Sequence, residues 1–104
     1  MFIYGAAPLK KSSVDYFASL DMPLLNMYGL SETTGSATVN LPHDFSLDHA
    51  GQSLGGTDIK ITEADNEGKG EIRIYGRHIM MGYKDNEQAT MEAIDEDGYF
   101  KSGD

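Results

Sequence analysis

Between Tyr28 and Gly35 the sequence Tyr-Gly-Leu-Ser-Glu-Thr-Thr-Gly gathers hydroxyls, one carboxylate and an aromatic ring in a single short stretch. Glu32 could hold a Mg²⁺ ion, which favours carboxylate oxygens together with substrate phosphates. Ser31, Thr33 and Thr34 could donate to phosphate oxygens, and Tyr28 offers a ring for a base to lie against. The same residues also describe an ordinary polar turn, in which Ser and Thr bond to their own backbone. On spacing alone the ordinary turn is the stronger reading. Gly5-Ala6-Ala7-Pro8 raises the same choice one segment earlier. Small residues there suit either close approach of a ligand to the backbone or tight packing beneath a helix.

Other candidates carry less. His43, His49 and His78 lie in separate segments without metal-ligand spacing, so surface or structural roles fit them better. Glu67-Gly68-Lys69-Gly70 lacks the rest of a phosphate-loop pattern and fits a hairpin turn. Asp95-Glu96-Asp97 reads as a solvated turn, and Ile79 with Met80 and Met81 as core.

The elements that must position these residues can be read from periodicity. Met1 to Tyr4 reads as the end of a buried strand. Leu9 to Leu20 follows as a helix, with Leu9, Val14, Phe17 and Leu20 on one face and Pro8 at its start. Pro23 to Tyr28 is a second buried strand that Gly29 ends. Strand, helix and strand with short joints form a βαβ unit, which predicts parallel pairing and a right-handed crossover. The carboxyl ends of such strands are where open α/β sheets bind ligands, and both candidate turns follow strands. Ser36 to Asn40 is a further short strand, and Leu41 to Leu54 is loop-like. From Thr57 the period changes. Asp58 to Thr62 and Glu71 to Tyr75 alternate across a turn-rich joint and make a β-hairpin. Asp85 to Ile94 is a short helix with Asp85 or Asn86 as its cap, and Tyr99 to Lys101 is a last strand.

Composition sets the limits. Seventeen acids against eight bases give a formal charge of -9, which argues against nucleic acid as a partner. The acids are uneven, five in residues 1–56 and twelve in residues 57–104. An anionic nucleotide bound here must rely on backbone N–H groups, a metal ion, or basic residues outside the chain. With no cysteine there is no disulfide, thiolate metal site or thiol nucleophile. The chain has neither an apolar run long enough to span a bilayer nor a signal-peptide start, so a cytoplasmic or membrane-surface location is expected.

Four motifs in order turn these fragments into a pattern: Gly5-Ala6-Ala7-Pro8-Leu9; Tyr28-Gly29-Leu30-Ser31-Glu32; Gly70-Glu71-Ile72 with Gly82-Tyr83; and Gly98-Tyr99-Phe100-Lys101-Ser102-Gly103-Asp104. Together they closely resemble the adenylate-forming (AMP-binding) superfamily of acyl-CoA synthetases, luciferases and peptide-synthetase adenylation domains. Within it, Tyr28 to Gly35 with Glu92 to Gly98 looks most like long-chain fatty acyl-CoA synthetases of the bubblegum type. Ser31 stands where many relatives have Thr, which keeps the hydroxyl, and Met27 where many have Gly.

The resemblance implies an α/β fold. Residues 1–54 would end the α/β subdomain that carries the adenylate-binding turns, and residues 55–104 would form a small β-rich, distorted-barrel subdomain. It further implies that Gly5, Ala6 and Ala7 line the adenine and acyl pocket, while Asn26, Met27, Tyr28, Gly29 and Leu30 border the adenylate. Tyr28 would lie against adenine, Ser31 would contact phosphate, Glu32 would bind Mg²⁺, and Asp104 would accept from the ribose hydroxyls. The implied reaction joins a fatty acid to CoA with ATP in two steps through an acyl-adenylate. Neither step needs a side-chain nucleophile. The family's phosphate loop would precede Met1, and its hinge, ribose-binding Arg and Lys-bearing lid would follow Asp104. The expectation is therefore one wall of an adenylate site, inactive without the rest of a parent enzyme. A long-chain acyl substrate is compatible with peripheral membrane association. Adenylation of another acid or for another acceptor, and a non-catalytic module that retains the fold, are the alternatives.

Overall fold

Hydrophobic periodicity changes midway along the chain, and the computed structural model, which describes residues 1–46 and 48–104, changes sheet at the same place. The expected loop over 41–54 includes Leu47, which lies outside the described residues. The first sheet contains β1 (Phe2–Gly5), β2 (Leu24–Leu30), β3 (Gly35–Val39) and β4 (Gln52–Ser53), in that order. Helix α1 (Lys11–Ser19) joins β1 to β2, which pair in parallel with Gly5 opposite Met27. Strands β2, β3 and β4 then pair antiparallel. The second sheet is antiparallel throughout and consists of β5 (Thr57–Thr62), β6 (Glu71–Gly76) and β7 (Phe100–Lys101). Helix α2 (Glu87–Ala93) lies between β6 and β7 in sequence.

The chain divides into two compact units, one of Met1–Ser31 with Gly35–Leu54 and one of Glu32–Thr34 with Gly55–Asp104. Val14, Leu25 and Ala37 are buried in the first, Ile74 and Phe100 in the second. Strand β1 is not buried as expected: Phe2 and Ile3 are each 50% exposed. Only Val14 of the expected apolar helix face is buried. Among the described residues no helix is long and apolar enough to cross a membrane.

Local chemistry explains the ends of the elements. After α1 the Asp21 N–H donates to the Ala18 carbonyl and the Met22 N–H to the Phe17 carbonyl, with Asp21 left-handed at φ 59°. That is the double bond of a Schellman cap, with Asp in the position Gly usually takes, and Pro23 then forbids further helix. The Asn86 side chain caps α2, accepting from the Ala89 N–H at 3.0 Å. Gly68, at φ 80°, turns the β5–β6 hairpin, where Asp65 Oδ1 accepts the N–H groups of Glu67 and Lys69.

Strand β2 does not stop at Gly29. It runs on to Leu30 because β3 folds back along it, with an irregularity in register between Tyr28 and Gly29. A Cβ on Gly29 would lie 2.0 Å from the Gly35 carbonyl oxygen, so only glycine permits that approach. In the 41–54 stretch a 3-10 turn, Pro42–Asp44, and the two residues of β4 replace the loop expected from composition. Met81 is fully exposed, so it is no part of a core.

Candidate functional site

Because β1 and β2 run in parallel, their carboxyl ends lie side by side and release two turns at one edge of the first sheet. Gly5-Ala6-Ala7 leaves β1 with Ala6 in the left-handed region at φ 66°, and Ala6 and Ala7 are exposed. Asn26, Met27, Tyr28, Gly29 and Leu30 form the half-buried end of β2, and exposed Ser31 opens the turn that follows. The Asn26 carbonyl accepts the Asn40 N–H at 2.9 Å, which fixes the backbone below this edge. Nine of the eleven sequence-predicted residues thus sit on or directly after two neighbouring strand ends within the first unit.

Glu32 belongs to the second unit. It lies in the 3-10 turn Ser31–Thr33, and its backbone carbonyl accepts the Met80 N–H at 2.8 Å. One carboxylate oxygen, Oε1, accepts from the Tyr83 hydroxyl at 2.8 Å. That hydrogen bond, with desolvation and the nearby negative charge adding to it, raises the Tyr83 phenol above its ordinary value. The Thr34 hydroxyl donates to the His78 carbonyl at 2.6 Å, and Thr33 is 1% exposed. The Thr34 hydroxyl is therefore engaged with the 78–83 segment and Thr33 is buried, while Ser31, next to Glu32, is exposed. Asp104 also belongs to the second unit; its carbonyl accepts the Ile72 N–H at 3.0 Å and its N–H donates to Ser102 Oγ.

Sequence reasoning missed two residues. Tyr83 was visible only as half of the Gly82-Tyr83 motif, and its partner Glu32 lies fifty-one positions away. Asp95 stood inside an apparent charge run, yet it is a hub. Its Oδ1 accepts the N–H groups of Tyr99 and Asp97, while Oδ2 meets Arg73 Nη1 at 3.0 Å and Lys60 Nζ at 3.6 Å. Desolvation, the largest single influence, opposes its ionisation. The Tyr99 N–H, Arg73, Lys60 and the Asp97 N–H together outweigh it and hold the carboxyl below its usual range. Lys60 also lies over the Tyr99 ring, and the Tyr99 hydroxyl donates to Asp58.

No group of three or more His, Cys, Asp or Glu side chains able to hold a metal occurs among the described residues. A single carboxylate such as Glu32 does fit Mg²⁺ held jointly with nucleotide phosphates and water, the usual arrangement for this ion.

Residues 1–84 match the model of the AMP-binding enzyme family. The chain belongs to that family. Family members named long-chain-fatty-acid–CoA ligase are similar over nearly its whole length. ACSBG2 of Xenopus laevis is 42% identical over 100 residues, covering 96% of this chain and 14% of that protein. Human ACSBG1 is 42% identical over 101 residues, 97% of this chain and 14% of that protein. The chain thus spans a small part of the relatives it matches. Two solved family structures share its mixed α/β arrangement. Apo MatB from Rhodopseudomonas palustris superposes with a TM-score of 0.85 at 28% identity, over 100% of this chain and 22% of that one. The o-succinylbenzoate CoA synthetase MenE of Bacillus subtilis, in complex with its acyl-adenylate intermediate, gives 0.86 at 27% identity, over 98% and 28%.

Proposed function

We propose that this chain supplies the adenylate-binding turns of an ATP-dependent long-chain fatty acid–CoA ligase. The observation that carries the reading is the pair of turns, Gly5–Ala7 and Tyr28–Ser31, at adjacent carboxyl ends of β1 and β2, in a chain 42% identical to ACSBG2. In this reading Gly5, Ala6 and Ala7 line the adenine and acyl pocket, Asn26 to Leu30 border the adenylate with Tyr28 against the base, and Asp104 takes the ribose hydroxyls. Ser31 donates to phosphate, and Glu32 is the residue that would hold Mg²⁺. When bound, the cation would supply positive charge to offset that of the phosphates.

The chain's own contribution is positional. Backbone and small side chains hold the nucleotide so that a fatty-acid carboxylate attacks the α-phosphorus, and later the CoA thiol displaces AMP. With a formal charge of -9, the chain needs basic groups from outside these residues to offset the phosphates. Residues 55–104 would form the small β-rich, barrel-like subdomain. The location is cytoplasmic, with membrane-surface association suited to a long acyl chain.

Replacing the matching segment of Xenopus laevis ACSBG2 with residues 1–104 tests the reading through pyrophosphate release from ATP and a long-chain fatty acid. The hybrid should adenylate, and Glu32→Ala in it should lower the rate by roughly a hundredfold with the fold intact. Unchanged activity after Glu32→Ala would remove Glu32 from the mechanism.

A further inference from the structure

The turn that carries Glu32 is held at three places by one short segment. Met80 N–H donates to the Glu32 carbonyl at 2.8 Å, Thr34 Oγ1 donates to the His78 carbonyl, and the Tyr83 hydroxyl donates to Glu32 Oε1. The first two bonds fix the turn. The third acts on the functional group itself. The second carboxylate oxygen, Oε2, has no hydrogen-bond partner among the described residues.

Tyr83 is itself held in place. Its N–H donates to Thr90 Oγ1 at 2.8 Å, and its carbonyl accepts the Asn86 N–H at 3.3 Å. Thr90 Oγ1 in turn donates to the Asn86 carbonyl, and the Asn86 side chain caps α2. Gly82 precedes Tyr83 at φ 153°, and a Cβ there would lie 2.7 Å from Thr90 Cγ2. The ring stands at the surface, 39% exposed, so its burial adds little to a core. What the surrounding bonds determine is where the hydroxyl points.

We propose that Tyr83 is a positioning residue for cation-linked nucleotide binding, holding the Glu32 carboxylate in one orientation with Oε2 turned to the cation. This rests on the reading of Glu32 given above. A glutamate side chain has several rotatable bonds, and freezing them at the moment of binding weakens the site. A hydrogen bond to a carboxylate made beforehand removes that cost and is among the stronger kinds of hydrogen bond. Tyr83 touches neither nucleotide nor reacting atoms in this scheme; it acts through Glu32.

The test uses the hybrid ligase and the 104-residue chain together. In the hybrid, Tyr83→Phe should raise the Mg²⁺ concentration for half-maximal adenylation by about tenfold, the scale of one hydrogen bond to a charged group. It should leave the rate at saturating Mg²⁺ nearly unchanged. By calorimetry it should weaken binding of MgATP and not of ATP in excess chelator. Should Glu32→Gln abolish adenylation while Tyr83→Phe keeps the original Mg²⁺ dependence, the Tyr83 proposal fails and the reading of Glu32 stands. Should Glu32→Gln leave adenylation intact, the reading of Glu32 fails first. If Tyr83→Phe does not fold in the hybrid, the tyrosine ¹³Cζ spectrum of the unbroken chain at neutral pH decides. There Glu32→Gln should shift the Tyr83 resonance, and an unmoved resonance overturns the proposal.

Discussion

Gly29→Ala should damage the fold before it damages any binding step. The added Cβ would sit 2.0 Å from the Gly35 carbonyl oxygen and 2.7 Å from both the Gly35 carbonyl carbon and Ser36 Cα. Ordinary contact begins near 3.4 Å, so β3 must retreat by more than about 1 Å at this point. That retreat strains the pairs Gly29↔Ser36 and Leu30↔Gly35, where β2 and β3 meet. Overpacking of this kind costs about 1–3 kcal/mol, and one lost strand hydrogen bond about 1 more. Alanine returns about 0.4–1 kcal/mol by restricting the unfolded chain. The net loss is about 1–4 kcal/mol, which lowers Tm by roughly 5–20 °C for a chain of this size. Thermal unfolding followed by circular dichroism measures it, with faster amide exchange at Leu30 and Ser36 as the local sign. Gly55→Ala is the control, since a Cβ there meets nothing within 4 Å. If Gly29→Ala melted within about 2 °C of the unsubstituted chain, the close approach of β3 would not be the reason for glycine here. Clearance for a ligand would then be the better explanation.

Two further outcomes follow from the second sheet and its helix. Asp95 has a depressed carboxyl, so its contribution to stability is fully present above the ordinary value of 3.8 and is lost as pH falls through the lower, folded value. Chemical unfolding of Asp95→Asn and the unsubstituted chain should therefore differ at pH 6 and converge in strong acid; a constant difference would discard the charge-based account. Asn86→Ala removes the cap on α2 and should cost about 1 kcal/mol, read from the same denaturation curves. Loss of that cap should also loosen Thr90, visible as faster exchange of the Tyr83 amide that Thr90 accepts.

Much of the fold was legible because local patterns and tertiary pairing agree. The alternation in Asp58–Thr62 and Glu71–Tyr75 became β5 and β6, and the cap of α2 is Asn86, one of the two residues that the sequence offered for it. The parallel pairing of β1 with β2 followed from their short joints to one helix. What failed were judgements about environment. Met1 to Tyr4 has the composition of a buried strand, yet burial depends on what covers β1, and its own residues do not encode that. Gly29 was read as a terminator from its intrinsic preference, whereas the return of β3 extends β2 through it. Thr33 and Thr34 looked equivalent to Ser31 as phosphate donors. One is buried and the other is bonded to the His78 carbonyl, and both facts depend on contacts far along the chain. Tyr83 and Asp95 escaped for the same reason, since no local pattern distinguishes a tyrosine that meets Glu32 or an aspartate that gathers Arg73 and Lys60.

The assignment of Glu32–Thr34 to the second compact unit has a consequence for how such a chain can diverge. The backbone leaves the first unit at Ser31, contributes three residues to the other, and returns at Gly35. A recombination event at the apparent seam near Leu54 would deliver a gene whose opening half encodes the glutamate turn and whose closing half encodes Met80, His78 and Tyr83 from a different lineage. Each inherited half would have to recognise a stranger. Exchange of segments between relatives should therefore succeed when both halves travel together, and point changes in the turn should appear alongside compensating changes around residues 78–83.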